Sequence, residues 1–239
     1  MNIKVVVYGV AIIIVATGCA GQVEDQSHPF IEETHQNEII EVNGLATIAN
    51  PENMAANINK ETRLSEAYIP ADLVTPNVPF SFEEDIDKRY LRQEASVALE
   101  QMFSDAKEEG LVFIAVSGYR SFERQAFLYE NAVEENGPSQ KLVAEPGYSE
   151  HQTGLAMDVS TASIEYELVE AFGSTPEGLW LEEHAHGYGY IIRYQAGKEG
   201  ITGYDYEPWH LRYVGIELAE RLVEDELSLD EYHNLSKGI

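Results

Sequence analysis

Apolar residues recur at helical spacing between positions 83 and 109, which is the longest periodic stretch of the chain. These residues are Ile86, Tyr90, Leu91, Ala95, Leu99, Met102, Phe103 and Ala106. Side chains three and four positions apart lie on one face of an α-helix, so the pattern predicts a long amphipathic helix that ends at Gly110. Residues 111–116 are apolar and rich in branched side chains, which predicts a buried strand directly after this helix.

Shorter patterns predict the remaining elements. We expect further helices over residues 122–134, 179–186 and 214–224, and further strands over residues 154–159, 188–194 and 209–213. The strands are few and mix with helices in no regular alternation, which favours an α+β fold over a doubly wound parallel sheet. We therefore expect a single domain with a small, mainly antiparallel sheet flanked by helices.

The first 18 residues have the layout of a secretory signal that leads into Cys19. Residues 1–4 are basic, residues 5–15 are apolar, and small residues follow up to Gly18. The apolar run is shorter than the roughly 20 residues of a membrane span. The ending resembles the bacterial lipoprotein signal, which implies cleavage after Gly18 and lipidation of Cys19. Ala16 stands where that signal usually has Leu, so simple secretion or an uncleaved anchor remains an alternative. Each version places the domain outside the cytoplasm.

Residues 19–61 differ in composition from the rest of the chain. They are rich in Gln, Glu, Asn and Thr, and they show no sustained hydrophobic period. This composition predicts a flexible acidic spacer, so the folded domain is expected over residues 62–239. His28 and His35 lie in this segment and are given no role. Cys19 is the single cysteine of the chain, which excludes an internal disulfide.

The charge of the chain narrows the choice of partners. The 239 residues include 42 acidic and 15 basic side chains, for a formal net charge of −27. Such a surface repels a phosphate backbone, which argues against nucleic acid, and acidic lipids are an equally poor match. The charge favours solubility and identifies no substrate. Hydrophobic residues make up 44% of the chain, which is sufficient for a sizeable core.

Two clusters carry residues suited to chemistry. In the first, His151 and Asp158 are seven positions apart across Gly154. If Gly154 opens a strand, Asp158 lies on the face opposite the core, because strand side chains alternate. The alternative is an aspartate that caps a turn.

The second cluster is Glu-Pro-Trp-His at residues 207–210, in which Pro208 stiffens the start of a strand. Two imidazoles and one carboxylate form a common three-ligand catalytic zinc set, and a nearby free carboxylate can take a proton from water. A Glu-x-x-His pair alone is weak evidence for a zinc site, but the two clusters together are much stronger evidence.

The residues resemble a known family. Ser-x-His-x-x-Gly-x-Ala-x-Asp at residues 149–158, followed about fifty residues later by Glu-Pro-Trp-His, is similar to the VanY-type D-alanyl-D-alanine carboxypeptidases. That family belongs to a wider group of zinc peptidases that act on peptidoglycan. The resemblance runs from about residue 68 to residue 223 and includes Ser-Gly-Tyr-Arg-Ser at 117–121.

The resemblance implies a role for eight residues. One zinc ion per chain would be held by His151, Asp158 and His210, with Glu207 as the catalytic base that activates the attacking water. Arg120 would stabilise the developing oxyanion. The substrate pocket would be lined by Gln125, Ser149 and Trp209. For His184 and His186, packing, helix capping or support of the metal site is favoured over direct ligation.

The expected function is that of a D-alanyl-D-alanine carboxypeptidase, which removes the C-terminal D-alanine from peptidoglycan stem peptides. We expect the enzyme to be a monomer tethered to the membrane through a lipid. An L,D-carboxypeptidase or a peptidoglycan endopeptidase would use the same residues, and the spacing does not distinguish these activities. A non-catalytic zinc-containing module that binds the cell wall is a further alternative, although the base and all three ligands are present. A solute-binding lipoprotein would leave the zinc motif unexplained.

Overall fold

The computed structural model describes residues 33–140 and 143–235; the predicted signal and Cys19 lie outside these residues. The strands are β1 (Ile39–Val42), β2 (Leu45–Ile48), β3 (Leu73–Val74), β4 (Leu91–Arg92), β5 (Ile114–Ser117), β6 (Ala156–Ser160), β7 (Tyr190–Tyr194) and β8 (Glu207–Tyr213). The helices are α1 (Gln93–Glu108), α2 (Phe122–Asn136), α3 (Pro176–His184), α4 (Glu199–Thr202), α5 (Ile216–Glu224) and α6 (Leu229–Leu235).

The central sheet has four strands in the order β5-β6-β8-β7, and all neighbouring strands are antiparallel. Met157 on β6 lies opposite Leu211 on β8, and both side chains are fully buried in the core. Asp158 lies opposite His210 in the same ladder, so these two side chains share the other face of the sheet. The predicted α+β fold with a small antiparallel sheet is confirmed.

Helix α1 covers the core face of this sheet. Its inward side chains include Leu99 and Met102, both fully buried, and Phe103, whose ring lies 5.3 Å from that of Phe113. Gly110 follows the helix with a φ of +87°, a left-handed conformation that suits glycine and ends the helix as predicted.

The predicted start of this helix at residue 83 is wrong, because α1 begins ten residues later at Gln93. Residues 88–92 use their backbone groups elsewhere: the carbonyl oxygens of Lys88 and Tyr90 accept hydrogen bonds from the amides of Gly118 and Tyr119, and the Arg92 amide donates to Gly154. These long-range bonds take the place of helical bonds. The helix is therefore shorter than the stretch over which apolar residues recur at helical spacing.

The described part of the predicted spacer is folded onto the domain. Strands β1 and β2 form a hairpin, and Ala55, Ala56 and Ile58 are fully buried. His35 Nδ1 lies 2.9 Å from the hydroxyl of Tyr232 on α6. The domain therefore begins before residue 62, which corrects the predicted boundary. The composition does not indicate that this segment is folded, because hydrogen bonds and small side chains hold it to the domain. Such contacts produce no regular spacing of hydrophobic residues in the sequence.

His233 on α6 links folding to pH. It is 7% exposed, and its Nε2 lies 2.8 Å from the carbonyl oxygen of Ala55, to which it donates. Burial lowers its pKa to about 4, although the bond to Ala55 acts in the opposite direction. The unfolded chain binds this proton with a pKa of about 6.5. The stability contributed by neutral His233 is thus complete above about pH 6.5 and is lost as the pH falls towards about 4.

We expect His233→Gln to flatten this pH dependence, because the glutamine Nε2 can still donate to Ala55 but does not titrate. The free energy of unfolding, measured in chelator at pH 7 and pH 4, should fall by roughly 1 to 3 kcal/mol less in the variant than in the wild type. Equal losses in the two proteins would exclude His233 as the source of the acid sensitivity.

None of the helices within residues 33–140 and 143–235 combines the length and the apolar composition that a membrane-spanning helix requires.

Candidate active site

Three potential metal ligands meet on the face of the central sheet that is opposite the core. His151 lies in a 3₁₀ helix (Glu150–Thr153), Asp158 lies on β6 and His210 lies opposite it on β8. Each offers one ligand atom, and these atoms lie within 4.8 Å of one another. All three side chains are buried, with residue exposures of 4 to 5%. Two imidazoles and a carboxylate in this arrangement fit the ligand set of a catalytic zinc ion.

The hydrogen bonds of the two rings decide which nitrogens face the ligand cluster. His151 Nδ1 lies 2.8 Å from the carbonyl oxygen of Gly118, to which it donates, and its Nε2 lies 3.3 Å from Asp158 Oδ2. His210 Nδ1 lies 2.8 Å from Asp158 Oδ1, and its Nε2 lies 3.4 Å from Glu150 Oε2. The atoms available to a metal are therefore His151 Nε2, His210 Nδ1 and the Asp158 carboxylate.

The pKa values of the two histidines shift in opposite directions. Burial lowers the pKa of His151, with Asp158 acting against it. Burial also acts to lower the pKa of His210, but hydrogen bonds to the carboxylates of Asp158 and Glu150 outweigh it and raise this pKa to about 10. Burial alone would raise the pKa of Asp158, yet the two imidazoles hold it well below its ordinary range. The cluster thus favours a positive charge, whether a proton or a metal cation.

Glu207 begins β8 and reaches the same cleft three residues before His210. Burial raises its pKa above the ordinary glutamate value, His210 acts to lower it, and Asp158 acts to raise it. A carboxylate with a raised pKa accepts a proton more readily, which suits a general base near neutral pH.

Arg120 follows β5 and lines the same cleft. Its backbone amide donates to the carbonyl oxygen of His151 at 3.1 Å. Its guanidinium donates through Nη1 to Gln125 Oε1 at 3.0 Å and through Nη2 to Ser117 Oγ at 3.2 Å. The segment before Arg120 passes close to residues 88–90, which requires Gly118, because a Cβ there would lie 2.5 Å from the carbonyl oxygen of Tyr90.

One cleft of about 330 Å³ contains all the side chains expected at the site. They are Arg120, Gln125, Ser149, His151, Asp158, Glu207, Trp209 and His210. Gln125 is 1% exposed and uses both ends of its amide inside the protein, with Arg120 on its oxygen and Ala144 O accepting from its nitrogen at 2.7 Å. Its position supports Arg120, while its predicted contact with substrate stays a prediction.

The chain is similar to several known proteins. The sequence profile of the VanY family, described as D-alanyl-D-alanine carboxypeptidase, matches residues 88–216. The chain belongs to the VanY family. The Bacillus subtilis (strain 168) protein YodJ is 52% identical over 211 residues, which cover 87% of this chain and 77% of YodJ.

Two solved structures extend the VanY-family comparison. One is the structure of the LD-carboxypeptidase LdcB, which is described as revealing the molecular basis of peptidoglycan recognition. LdcB is 52% identical to this chain, with a TM-score of 0.83 over 85% of this chain and 96% of LdcB. A mutant of the D,D-pentapeptidase VanY from a VanB-type resistance cassette, solved in complex with Zn(II), is 31% identical. Its TM-score is 0.56 over 75% of this chain and 98% of that one. The chain is thus a metallopeptidase of the carboxypeptidase type.

The surroundings of the site include charged residues that the sequence did not indicate. Glu150 stands beside His151 inside the VanY-family motif, but no role was expected for it. Arg193 and Arg212 are 1% and 0% exposed and both contact Glu150 at 2.7 Å. Each arginine lies among apolar and aromatic residues in a strand, and this is the signal that could have found them, because a buried charge requires a partner.

His184 has a packing role, as the sequence favoured. Its ring stacks on Trp180 with the ring centres 4.6 Å apart, and its Nδ1 lies 2.9 Å from Trp180 O. Neither His184 nor His186 lines the cleft of this VanY-family domain.

Proposed function

We propose that the chain is a zinc-dependent carboxypeptidase that releases the C-terminal D-alanine from peptidoglycan stem peptides. The observation that carries the proposal is the convergence of three metal-type ligands, Glu207 and Arg120 on one cleft. Membership of the VanY family supports the reaction class, and the LdcB and VanY relatives support the substrate class.

The side chains divide the chemistry of hydrolysis between them. When bound at His151, Asp158 and His210, zinc would supply Lewis acidity to the scissile carbonyl and to the attacking water. Glu207 takes the proton from that water and passes it to the leaving amine of D-alanine. Arg120 donates hydrogen bonds to the carbonyl oxygen as negative charge develops on it. One water is consumed, and the products are the shortened stem and free D-alanine.

For specificity we favour the L,D bond of the tetrapeptide stem. The support is the likeness to LdcB, which is higher in identity and in TM-score than the likeness to the VanY D,D-pentapeptidase. Cleavage of the D,D bond of the pentapeptide is the second candidate, because the matched family profile carries that description.

Release of D-alanine from synthetic stems tests both candidates. The chain from residue 20 onward would be incubated with tetrapeptide and pentapeptide stems, with zinc and with chelator. We expect zinc-dependent release of D-alanine that is at least about tenfold faster from the tetrapeptide than from the pentapeptide. A stem that does not match the pocket leaves polar groups of the pocket without hydrogen-bond partners, which raises the free energy of the transition state. Preference for the pentapeptide would select the D,D reading, and internal cuts would select an endopeptidase. Binding without cleavage by the zinc-loaded chain would leave a wall-binding module.

We expect Arg120→Ala to lower kcat by about 10² to 10³, because it removes donors aimed at the developing oxyanion. Zinc content, measured by elemental analysis, should stay at one per chain. Arg124→Ala is the matched control, since Arg124 is an exposed arginine on α2 that does not line the cleft. Similar kinetics for Arg120→Ala and Arg124→Ala would remove Arg120 from the reaction.

We also propose that the domain works outside the cytoplasmic membrane on a lipid attached to Cys19. The support is the N-terminal sequence, in which a short apolar run and small residues precede the cysteine. Cells expressing the full chain would be fed a labelled fatty acid. Label should enter the wild type and be absent from Cys19→Ala, and unlabelled wild type in the culture medium would favour simple secretion.

A further inference from the structure

Glu150 is a buried carboxylate shared by two arginines and a proposed metal ligand. Its side chain is fully buried. Oε1 accepts hydrogen bonds from Arg193 Nε and Arg212 Nη1, both at 2.7 Å, while Oε2 lies 3.4 Å from His210 Nε2. Since the carboxylate is held on one oxygen by two guanidinium groups, the other oxygen has a fixed direction towards the imidazole.

The two arginines are themselves held by the ends of the fold. Arg193 donates to Asp230 Oδ2 on α6 at 2.7 Å and to Asn57 Oδ1 at 2.9 Å. Arg212 donates through Nη2 to the carbonyl oxygens of Met54 and Ala56, at 3.0 and 2.7 Å. A buried network in which the charges are paired and the donors are bonded keeps one geometry.

We propose that Glu150 is a positioning residue that fixes the ring of His210. A donor proton on His210 Nε2 directed at Glu150 leaves the lone pair of Nδ1 facing Asp158 and the metal position. Histidine ligands that donate their second nitrogen to a carboxylate are held in one tautomer and one orientation. The inference rests on the proposed function only in taking zinc as the ion, and it assigns to residues 54–57 and α6 an indirect part in metal binding.

The test is the zinc affinity of the chain from residue 20 onward, measured by competition with a chromophoric chelator. Glu150→Asp keeps the negative charge between the arginines but withdraws the carboxylate from His210 by one methylene. We expect the zinc dissociation constant to rise about 10- to 100-fold, the range found when such supporting groups are changed. The absorption spectrum of the Co²⁺-substituted protein should also change, because it reports the geometry of the ligands.

Asp72→Asn is the matched control. Asp72 Oδ1 accepts from Arg92 Nε at 2.9 Å, and Arg92 is 7% exposed, so this variant also weakens a buried arginine's ion pair. Neither residue lines the cleft. The melting temperature of Asp72→Asn should fall. Its zinc dissociation constant should stay within about twofold of the wild type, because the lost ion pair shares no side-chain contact with the three ligands.

Asp230→Asn provides a second variant if Glu150→Asp does not fold. It leaves Glu150 intact and removes the charge that holds Arg193 from α6, so the zinc dissociation constant should rise by a smaller factor of about 3 to 10. If the folded Glu150 or Asp230 variant binds zinc as tightly as the control, with an unchanged Co²⁺ spectrum, the positioning role is overturned.

These outcomes separate the inference from the proposed function. A wild type that binds one zinc per chain but cuts no stem peptide removes the carboxypeptidase assignment, and the affinity difference between Glu150→Asp and Asp72→Asn still decides the role of Glu150. A wild type that binds no zinc removes both.

Discussion

Glu207→Gln is expected to lower kcat for release of D-alanine by about 10² to 10⁴, the contribution of a well-placed general base. The glutamine has almost the same shape as the glutamate but cannot accept the proton of the attacking water. Zinc should remain bound at one per chain, because Glu207 is not among the three clustered ligands. The measurement is steady-state release from the preferred stem peptide, with metal analysis of the same sample.

Glu220→Gln makes the same chemical change on the exposed face of α5 and should keep full activity. The KM of Glu207→Gln should change little, since the base acts mainly in the transition state. A Glu207→Gln enzyme that keeps its zinc and at least a third of wild-type kcat would show that another group removes the proton.

A chain that begins at residue 62 is expected to be strongly destabilised. It lacks the carbonyl oxygens of Met54 and Ala56 that accept from Arg212, and the Asn57 side chain that accepts from Arg193. Each hydrogen bond to a charged group contributes about 1.5 to 3 kcal/mol, and a domain of this kind has only about 5 to 15 kcal/mol in total. We expect its melting temperature to fall by at least about 10 °C, or the chain to fail to fold.

A chain that begins at residue 33 is the control for this truncation, because it keeps every contact that the structure describes. Both chains would be melted by circular dichroism in chelator, and their zinc affinities would be compared. If the chain from residue 62 melts within about 3 °C of the control, residues 33–61 contribute little to the stability of the fold. The domain boundary predicted from composition would then be correct with respect to stability.

The sequence links His151, Asp158 and His210 mainly through the resemblance to a family motif, and the structure places these three side chains in one cluster. Strand alternation places Asp158 away from the core, and Pro208 leads into the strand that carries His210. The match to a family motif joined the two parts, which the register between β6 and β8 then brings side by side.

The surroundings of the site could not be predicted in the same way. The bond between Arg193 and Glu150 joins residues 43 positions apart, and that between Arg212 and Ala56 joins residues 156 positions apart. Neither contact leaves a periodic trace in the sequence. For the same reason the sequence does not predict where α1 begins, since the backbone bonds at Lys88 and Tyr90 depend on Gly118 and Tyr119, which directly follow β5.

The contact between His35 and Tyr232 brings the two ends of the described chain together. Adjacent ends allow a circular permutant, in which a short linker joins residue 235 to residue 33 and new ends open between Glu84 and Asp85, which are both exposed. In that connectivity residues 54–57 follow α6 within a few tens of positions. Groups that now support the site from opposite ends of the chain would become sequence neighbours, and the contact order of this part of the fold would fall.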